Sequence, residues 1–548
     1  MDDPHAIRPQ PRAAAGRWIL ALLAGWGAIA AFVGFAGEVA INDDFAYLWA
    51  VRTALEHGTF ERLPWTWVPI FTSTGWGLLF TGAGGYSVAV LRFSSWVAGG
   101  IGLLALFEWM REAGAGTRVA FFATATLALN PIFINLAFTF MTEPFFLATC
   151  LVSLAAYARS LRTGSRAALL LGVLCALLAT LTRQVGLALG IAYAVAAILG
   201  TREKGRWACV AIANAVPIAG YALFVLWTSG APAETYGVTE LATQAASRNG
   251  LWHLSRQVVE AAVSLGIFLL PLLGWLRPGR WAAPAFVVGG IAAVGIVWLF
   301  GSPPAPWGNI LRVTGVGPSG IHGEGALPAF PEWAGWGLTM LGGGVAAAWL
   351  AAAVHTAGRD PTVVLRSPQW LLPLAFGATI LAPHITRSPF FDRYILLALP
   401  SALVILAVAW GPRRVGPAAL AATAVALVGL GAFGAIEARF GLDRARAQWA
   451  LLDGLGVSQA RIDGGFSWNA SHYDWERRPH YSSSTRIFVD RDDLLLSFEP
   501  VIEGYVPLRQ TRVSRVCGWG EQVLTLHQRI GSEPIRDGAP EVVPEALR

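Results

Sequence analysis

The chain has 548 residues, of which 55% are hydrophobic and only 14% charged, with a formal net charge of +6. A water-soluble domain carries about 25% charged residues, so soluble globular classes are excluded. The positive balance does not point to nucleic acid, because it consists of arginines in short loops between apolar runs, which is a topology signal.

In chain order, Arg8, Arg12 and Arg17 precede an apolar run that ends near Ala40. That run is too long for the core of a cleaved signal peptide and reads as a retained anchor, after a short tail over 1–17. Thirteen spans are expected, at 18–40, 87–110, 118–136, 144–160, 167–182, 185–200, 207–228, 257–276, 281–300, 332–354, 370–386, 393–410 and 416–436. Each run approaches the roughly 20 residues needed to cross about 30 Å of hydrocarbon. The 24 tryptophans suit membrane interfaces.

Basic clusters close every even-numbered span: Arg111/Arg118, Arg159/Arg162/Arg166, Arg202/Lys204/Arg206, Arg277/Arg280, Arg359/Arg366 and Arg413/Arg414. The positive-inside rule then puts these loops and the N-terminus in the cytoplasm, and the long loops 41–86, 229–256 and 301–331 outside. An odd span count also puts residues 437–548 outside. That region reads as a small α/β domain. "LDRARAQWALLDGLG" has the pattern of an amphipathic helix, and "RIFVD", "LLLSF", "YVPLR" and "QVLTLHQ" read as strands. The fold class is therefore a polytopic α-helical membrane protein of about thirteen spans. It has a transmembrane module over 18–436 and an extracytoplasmic C-terminal domain over 437–548. Cys150, Cys175 and Cys209 lie in apolar runs, and Cys517 stands alone, so no disulfide framework is readable.

The first outer loop opens with "AINDDFAYLWAVRTALEHG". Residues 43–57 have helical periodicity, with Phe45, Leu48, Trp49 and Leu55 on one face and Gly58 as a stop, which suits a juxtamembrane helix lying flat at the interface. Asn42 or Asp43 can act as N-cap and Asp44 can sit in the first turn, an arrangement worth about 1 kcal/mol. The same carboxylates can instead serve as a general base at the mouth of an outer cavity. Arg92, Arg183, Arg387 and Arg393 lie at outer junctions, against the positive-inside trend. A guanidinium there either snorkels to headgroups or binds a phosphate bidentately. Glu143, in "FTFMTEPFF", is either part of a helix start with Thr142 as cap and Pro144 in the first turn, or a second polar wall of the same cavity.

These stretches resemble the membrane-embedded GT-C glycosyltransferases that use polyprenyl-phosphate sugars. The resemblance is greatest to the bacterial aminoarabinose-transferase-like and protein O-mannosyltransferase-like group. The shared features are an acidic pair opening the first outer loop, Asp43-Asp44, followed by Tyr47. They continue with Pro69, Gly85, Leu91 and Arg92 in "VPIFTSTGWGLLFTGAGGYSVAVLRFSS", then "ALNPIFINLAFTFMTEPFF", "LTRQVGL" and "DRYILLALP". The chain departs from the group in having Asp44 where Glu is frequent, and a single Val68-Pro69 before the juxtamembrane stretch.

The resemblance implies that Asp43, with Asp44 beside it, activates the acceptor. It implies that the outer arginines hold the donor phosphate, that Tyr47, Glu143 and Tyr394 contact sugar or acceptor, and that the anomeric centre inverts. It implies a polyprenyl-phosphate sugar donor, a glycan, lipid or protein acceptor, the cytoplasmic membrane as location, and no cofactor. An obligatory divalent metal is not expected, since no compact His/Asp/Glu set is visible in the sequence. In the C-terminal region, Asp463, Trp468, Asn469 and His472 of "RIDGGFSWNASHYDW" read either as acceptor contacts or as a packed glycine turn. A transporter or lipid flippase, or a non-catalytic relative in envelope assembly, is the rival reading. A transporter should show charges in mid-span and inverted repeats.

Overall fold

The computed structural model describes residues 15–82, 84–200, 206–228, 248–276, 281–317, 320–324, 330–359, 364, 366–385, 391–410, 415–475, 488–516 and 520–532. Arg387, Cys517, residues 229–247 of the expected loop 229–256, and residues 486–487 of "RIFVD" lie outside these residues; the rest of that stretch, 488–490, is turn and bend rather than the expected strand.

Each of the thirteen apolar runs contains helix, although the first, expected over 18–40, ends at Val33. Helix α1 is Gly16–Val33, and the first loop contains α2 (Asp44–His57) and α3 (Phe71–Thr81). Helices α4 (Val88–Glu112), α5 (Thr117–Ala128), α6 (Pro131–Ala137), α7 (Thr142–Thr163), α8 (Arg166–Thr182), α9 (Ala188–Gly200) and α10 (Trp207–Trp227) follow. Then come α11 (Arg248–Leu269), α12 (Ala282–Leu299), α13 (Glu332–Arg359), α14 (Pro368–Ile385), α15 (Ile395–Trp410) and α16 (Pro417–Leu452). Among the described residues, nine helices are long and apolar enough to cross a membrane, or ten if a bent pair counts as one span.

That bent pair is α5 and α6, which turn by 64° within what the sequence reads as a single span, 118–136. The break follows from "LNPI". Pro131 cannot donate its backbone nitrogen, and the Asn130 carboxamide caps the new helix by accepting from Ile132 N at 2.9 Å and Phe133 N at 3.3 Å.

Another difference is at the C-terminal end. The expected domain boundary at 436/437 falls inside α16, which runs unbroken for 36 residues and includes all of "LDRARAQWALL". At 1.5 Å per residue it is about 54 Å long, more than the hydrocarbon thickness, so its upper half stands clear of a bilayer. Beyond it lie β3 (Ile462–Asp463), α17 (Phe466–Ser471), β4 (Leu494–Ser497), β5 (Tyr505–Ser514) and β6 (Glu521–Arg529). The sheet order is β3-β4-β6-β5, with β3 and β4 parallel and the other pairs antiparallel. Its inner face, with Leu494, Leu496, Leu524 and Leu526, packs with Phe440 and Leu452 of α16.

Residues 301–317, which carry a small ribbon of β1 (Leu311–Arg312) and β2 (Gly315–Val316), and residues 320–324 lie between bundle and sheet. Glu437 of α16 accepts from Val316 N at 3.1 Å and from Arg515 Nε at 2.5 Å, and His322 bridges to Ser497. The first loop joins the same side of the molecule, because Asn42 N donates to Ser467 Oγ at 2.8 Å.

The loop before α2 is shaped by Arg92. This side chain is fully buried and donates to the carbonyls of Phe35, Ala36, Gly37 (2.6 Å) and Val39. Gly37 supports this with φ +106°, and a Cβ there would sit 2.8 Å from Arg446 Nε. Arg446 itself grips Ala36 O from the other side. The guanidinium of Arg92, expected from sequence at the donor phosphate, is directed to these four carbonyls.

Replacing Arg92 by Leu is expected to strand several buried carbonyls and to cost roughly 3 kcal/mol. A melting temperature in detergent close to wild type would contradict this.

Candidate active site

Four charges from four helix termini meet on the side of the bundle that carries the C-terminal domain. Asp43 precedes α2, Glu143 is in the first turn of α7, Arg183 ends α8, and Arg393 opens α15 through a short 3-10 turn, Asp392–Tyr394. Both Nη atoms of Arg393 donate to Asp43 Oδ2 at 3.2 Å, and its Nε lies 3.4 Å from Glu143 Oε1. The same Glu143 oxygen accepts from Arg183 Nη1 at 2.7 Å, and Arg183 also donates to Thr142 Oγ1 at 3.3 Å. The result is a linear chain, Asp43–Arg393–Glu143–Arg183, with no net charge.

Buried charges survive only when paired, because removing each ion from water costs several kcal/mol. The Arg183, Glu143 and Arg393 side chains retain 4–8% exposure, whereas Asp43 retains 17%. Asp43 is thus the end of the chain nearest solvent. Two buried polar atoms in it, Glu143 Oε2 and Arg393 Nε, make no hydrogen bond among the described residues.

Local sequence explains why the charges converge. Asn42 adopts φ +62°, a left-handed turn that Asn tolerates better than most residues. Asp43 follows in helical conformation and makes no capping bond with its side chain. Its carboxylate turns away from the helix to Arg393 and accepts from Trp65 Nε1 at 3.1 Å. Asp44 is fully buried and accepts from Ile41 N at 2.6 Å and Phe140 N at 3.3 Å, tying α2 to the turn before α7. Burial pushes the Asp44 carboxyl up to about 7, against the pull of Arg92 and the two backbone amides. The two acids therefore divide the readings open to them: Asp44 holds backbone and Asp43 faces the cations.

Arg183 sits in extended conformation between α8 and the 3-10 turn Gln184–Leu187. Gly186 lets that turn press onto α8, since a Cβ there would lie 2.6 Å from Thr180 N. Thr142 does not cap α7; Met141 holds the N-cap position and makes no side-chain bond.

Tyr47, one turn after Asp43, is in the electrostatic field of Asp43, Glu143 and both arginines, and burial raises its phenol pKa, so it remains a donor. The Tyr394 ring lies 5.7 Å from the Arg183 guanidinium and 5.8 Å from that of Arg393, and it stacks on His384. Of the expected site residues, Asp43, Tyr47, Glu143, Arg183, Arg393 and Tyr394 converge. Asp44 and Arg92 support the loops around them.

Two contributors were not singled out from sequence. One is Trp65. The other is Asp392, whose buried carboxylate accepts from Asn309 N, Ile310 N and Leu311 N, the last at 2.6 Å, and so docks the outer segment beside Arg393. Its adjacency to Arg393 in "FDRY" was the available signal. Among the described residues, no group of three or more His, Cys, Asp and Glu side chains comes together. The glycine-turn reading describes 463–469: Asn469 bonds Asp463 Oδ1 and Gly464 N, both at 2.9 Å, and Trp468 is 1% exposed.

A second feature lies among the same helices. A cavity of about 680 Å³ opens between α2, α3, α4, α7 and α8, with a lining that is mostly apolar. Its walls include Phe145, two residues from Glu143, and Leu178, whose carbonyl accepts from Thr72 Oγ1 at 2.6 Å one turn from Arg183.

No family model matches the sequence, and no curated protein matches it. Among solved structures, the chain is similar to ArnT from Cupriavidus metallidurans bound to undecaprenyl phosphate. Identity is 13% over 94% of this chain and 98% of that one, with a TM-score of 0.39. It is similar to the arabinosyltransferase EmbB from Mycobacterium smegmatis, at 16% identity over 83% of this chain and 45% of that one, TM-score 0.36. It is also similar to the S. cerevisiae protein O-mannosyltransferase Pmt1-Pmt2 complex bound to the sugar donor, at 13% identity over 41% of this chain and 36% of that one, TM-score 0.33. The chain spans less than half the length of the last two. Likenesses of this size do not bear on substrate or reaction, which the site itself has to supply.

The raised Asp44 carboxyl has a pH consequence. Between about 4 and 7 the folded state holds more protons than the unfolded chain, so this group's contribution to stability falls as pH rises through that window. The melting-temperature advantage of wild type over Asp44→Asn should shrink from pH 4 to pH 7, and a widening gap would refute it.

Proposed function

We propose that the chain transfers a sugar from a polyprenyl-monophosphate donor to an acceptor on the outer face of the cytoplasmic membrane, inverting the anomeric centre. The observation that supports this most directly is the chain Asp43–Arg393–Glu143–Arg183, ending in a partly exposed carboxylate, with an apolar cavity between helices that include α7 and α8, which carry Glu143 and Arg183.

Each part has a chemical task. The apolar cavity suits a polyprenyl tail, whose transfer from water is favourable at about 25 cal/mol per Å². Arg393 and Arg183 suit the phosphate, because a guanidinium binds phosphate oxygens bidentately. Arg393 is the more exchangeable of the two. It reaches a single Asp43 oxygen at 3.2 Å, whereas Arg183 holds Glu143 at 2.7 Å. A phosphate that draws Arg393 to itself frees the Asp43 carboxylate.

Asp43 then accepts the proton of the acceptor hydroxyl while that oxygen attacks the anomeric carbon from the side opposite the phosphate. The bond from anomeric carbon to phosphate oxygen breaks, and its electron pair leaves with the polyprenyl phosphate, whose charge the arginines stabilise. Trp65 orients the base through the other Asp43 oxygen, and Tyr47 and Glu143 line the path of the acceptor or sugar. The arrangement is a single displacement, so it inverts. The outer orientation is supported by the basic loops at the opposite end of the bundle, where Arg162 pairs with Glu112 and Arg206 donates to Leu161 O.

Transfer from a panel of radiolabelled polyprenyl-phosphate sugars, in membranes, tests the reading. Asp43→Asn is expected to lower transfer by roughly 100- to 10,000-fold with little change in melting temperature. Turnover that survives the substitution would remove Asp43 as base. Arg393→Lys should raise the apparent KM for the lipid donor about tenfold through loss of the bidentate fork. Unchanged donor kinetics would take Arg393 out of the phosphate site.

A further inference from the structure

Helix α2 has two working faces. Asp43 and Tyr47 turn to the charge cluster. Phe45, Leu48, Trp49, Arg52 and Glu56 form a second stripe at spacings of three and four, facing away from it. Over this second face, α17 and the upper part of α16 close a separate cavity of about 480 Å³. The sequence reads α2 as lying flat on a lipid surface. The structure instead covers it with the C-terminal domain, where Phe45 stacks on Trp475 at 6.1 Å between ring centroids.

We infer that this cavity is a carbohydrate-binding subsite, which holds a saccharide unit of the acceptor while the accepting hydroxyl reaches Asp43. The inference deepens the proposed transfer reaction and rests on it only for the word acceptor. The lining supplies what sugar recognition requires. Trp49, Tyr86 and Trp449 supply aromatic rings to the lining, and Arg52, Glu56 and Glu38 supply a charged donor and acceptors. Sugars present apolar C–H faces and rows of hydroxyls, and an aromatic platform rimmed by ionic hydrogen-bonding groups matches both.

Other groups in the cavity add to this. Arg52 Nε is 2.9 Å from Glu56 Oε1, and its guanidinium lies 5.8 Å from the Tyr86 ring. The pair thus presents its polar edge along an aromatic wall. His472 donates from Nδ1 to Trp468 O at 2.8 Å, which leaves Nε2 as an acceptor, and burial lowers its pKa, so the ring stays neutral near pH 7. The volume is within the roughly 300–1,000 Å³ typical of small-molecule sites. The helix between the cavity and the Asp43 cluster is about 10–12 Å thick, a distance that an oligosaccharide of a few units spans.

The test is isothermal titration of the full chain in detergent with defined tetrasaccharides of mannose, arabinofuranose, galactose and N-acetylglucosamine, without lipid donor. At least one should bind in the millimolar range or tighter. Arg52→Ala, whose side chain is 60% exposed, should weaken binding about tenfold without a change in melting temperature. Trp49→Ala should do the same. Absence of binding by all four sugars, or equal binding to wild type and both cavity variants, overturns the inference. Transfer activity that persists without tetrasaccharide binding removes this cavity and leaves the reaction standing. Binding that persists without transfer from any lipid donor does the reverse.

Discussion

The shared carboxylate of Glu143 is the contact on which the rest of the site depends. It lies 2.7 Å from Arg183 and 3.4 Å from Arg393, at 4% side-chain exposure. Two guanidiniums cannot occupy an apolar bundle without a counter-charge between them, so this one side chain fixes where three helix ends must meet. The start of α7, the break between α8 and α9 and the start of α15 are drawn to one point by a requirement of charge neutrality. Asp43 then completes the balance from a fourth element, and its position at the edge leaves it the group with most access to solvent.

Backbone support is distributed in the same way. Polar side chains hold loop carbonyls and amides around the site in place of regular secondary structure: Arg92 on residues 35–39, Asp44 on Ile41 and Phe140, Asp392 on residues 309–311. Each satisfies groups that would otherwise be buried without partners. The loops are irregular in path but heavily bonded, which is what a preorganised site needs.

The apolar runs, the α2 helix with its Gly58 stop, and the strands β4, β5 and β6 were all legible in the sequence, because periodicity and length report directly on burial. So was the set of outer acids and arginines, since charge is conspicuous against apolar background. Partners were not legible. Whether Arg92 or Arg393 meets a carboxylate depends on contacts such as Asp43–Arg393, 350 positions apart in the chain. Nothing local distinguishes the two arginines. Likewise the 64° turn at Asn130-Pro131 was visible as a motif but read as part of a straight span, because hydropathy is insensitive to direction. The second face of α2 was misread for a similar reason: amphipathicity shows that a helix has an apolar side, not whether lipid or protein covers it.

The unbroken α16 has a geometric consequence for the C-terminal sheet. A helix advances 1.5 Å and turns 100° with each residue, so a shaft without a hinge ties the height of the sheet above the membrane to its compass bearing. The two cannot be adjusted separately. Adding one residue between the bilayer and Leu452 would lift the sheet only slightly, yet would swing it more than a quarter of a circle away from α2. An insertion would have to come in steps of about seven residues, two full turns, to restore the bearing, and by then the sheet would stand roughly 10 Å too high. Helix length here behaves as a key cut to a single depth and angle, and homologous chains that keep the sheet over α2 should vary in their loops long before they vary in the length of this shaft.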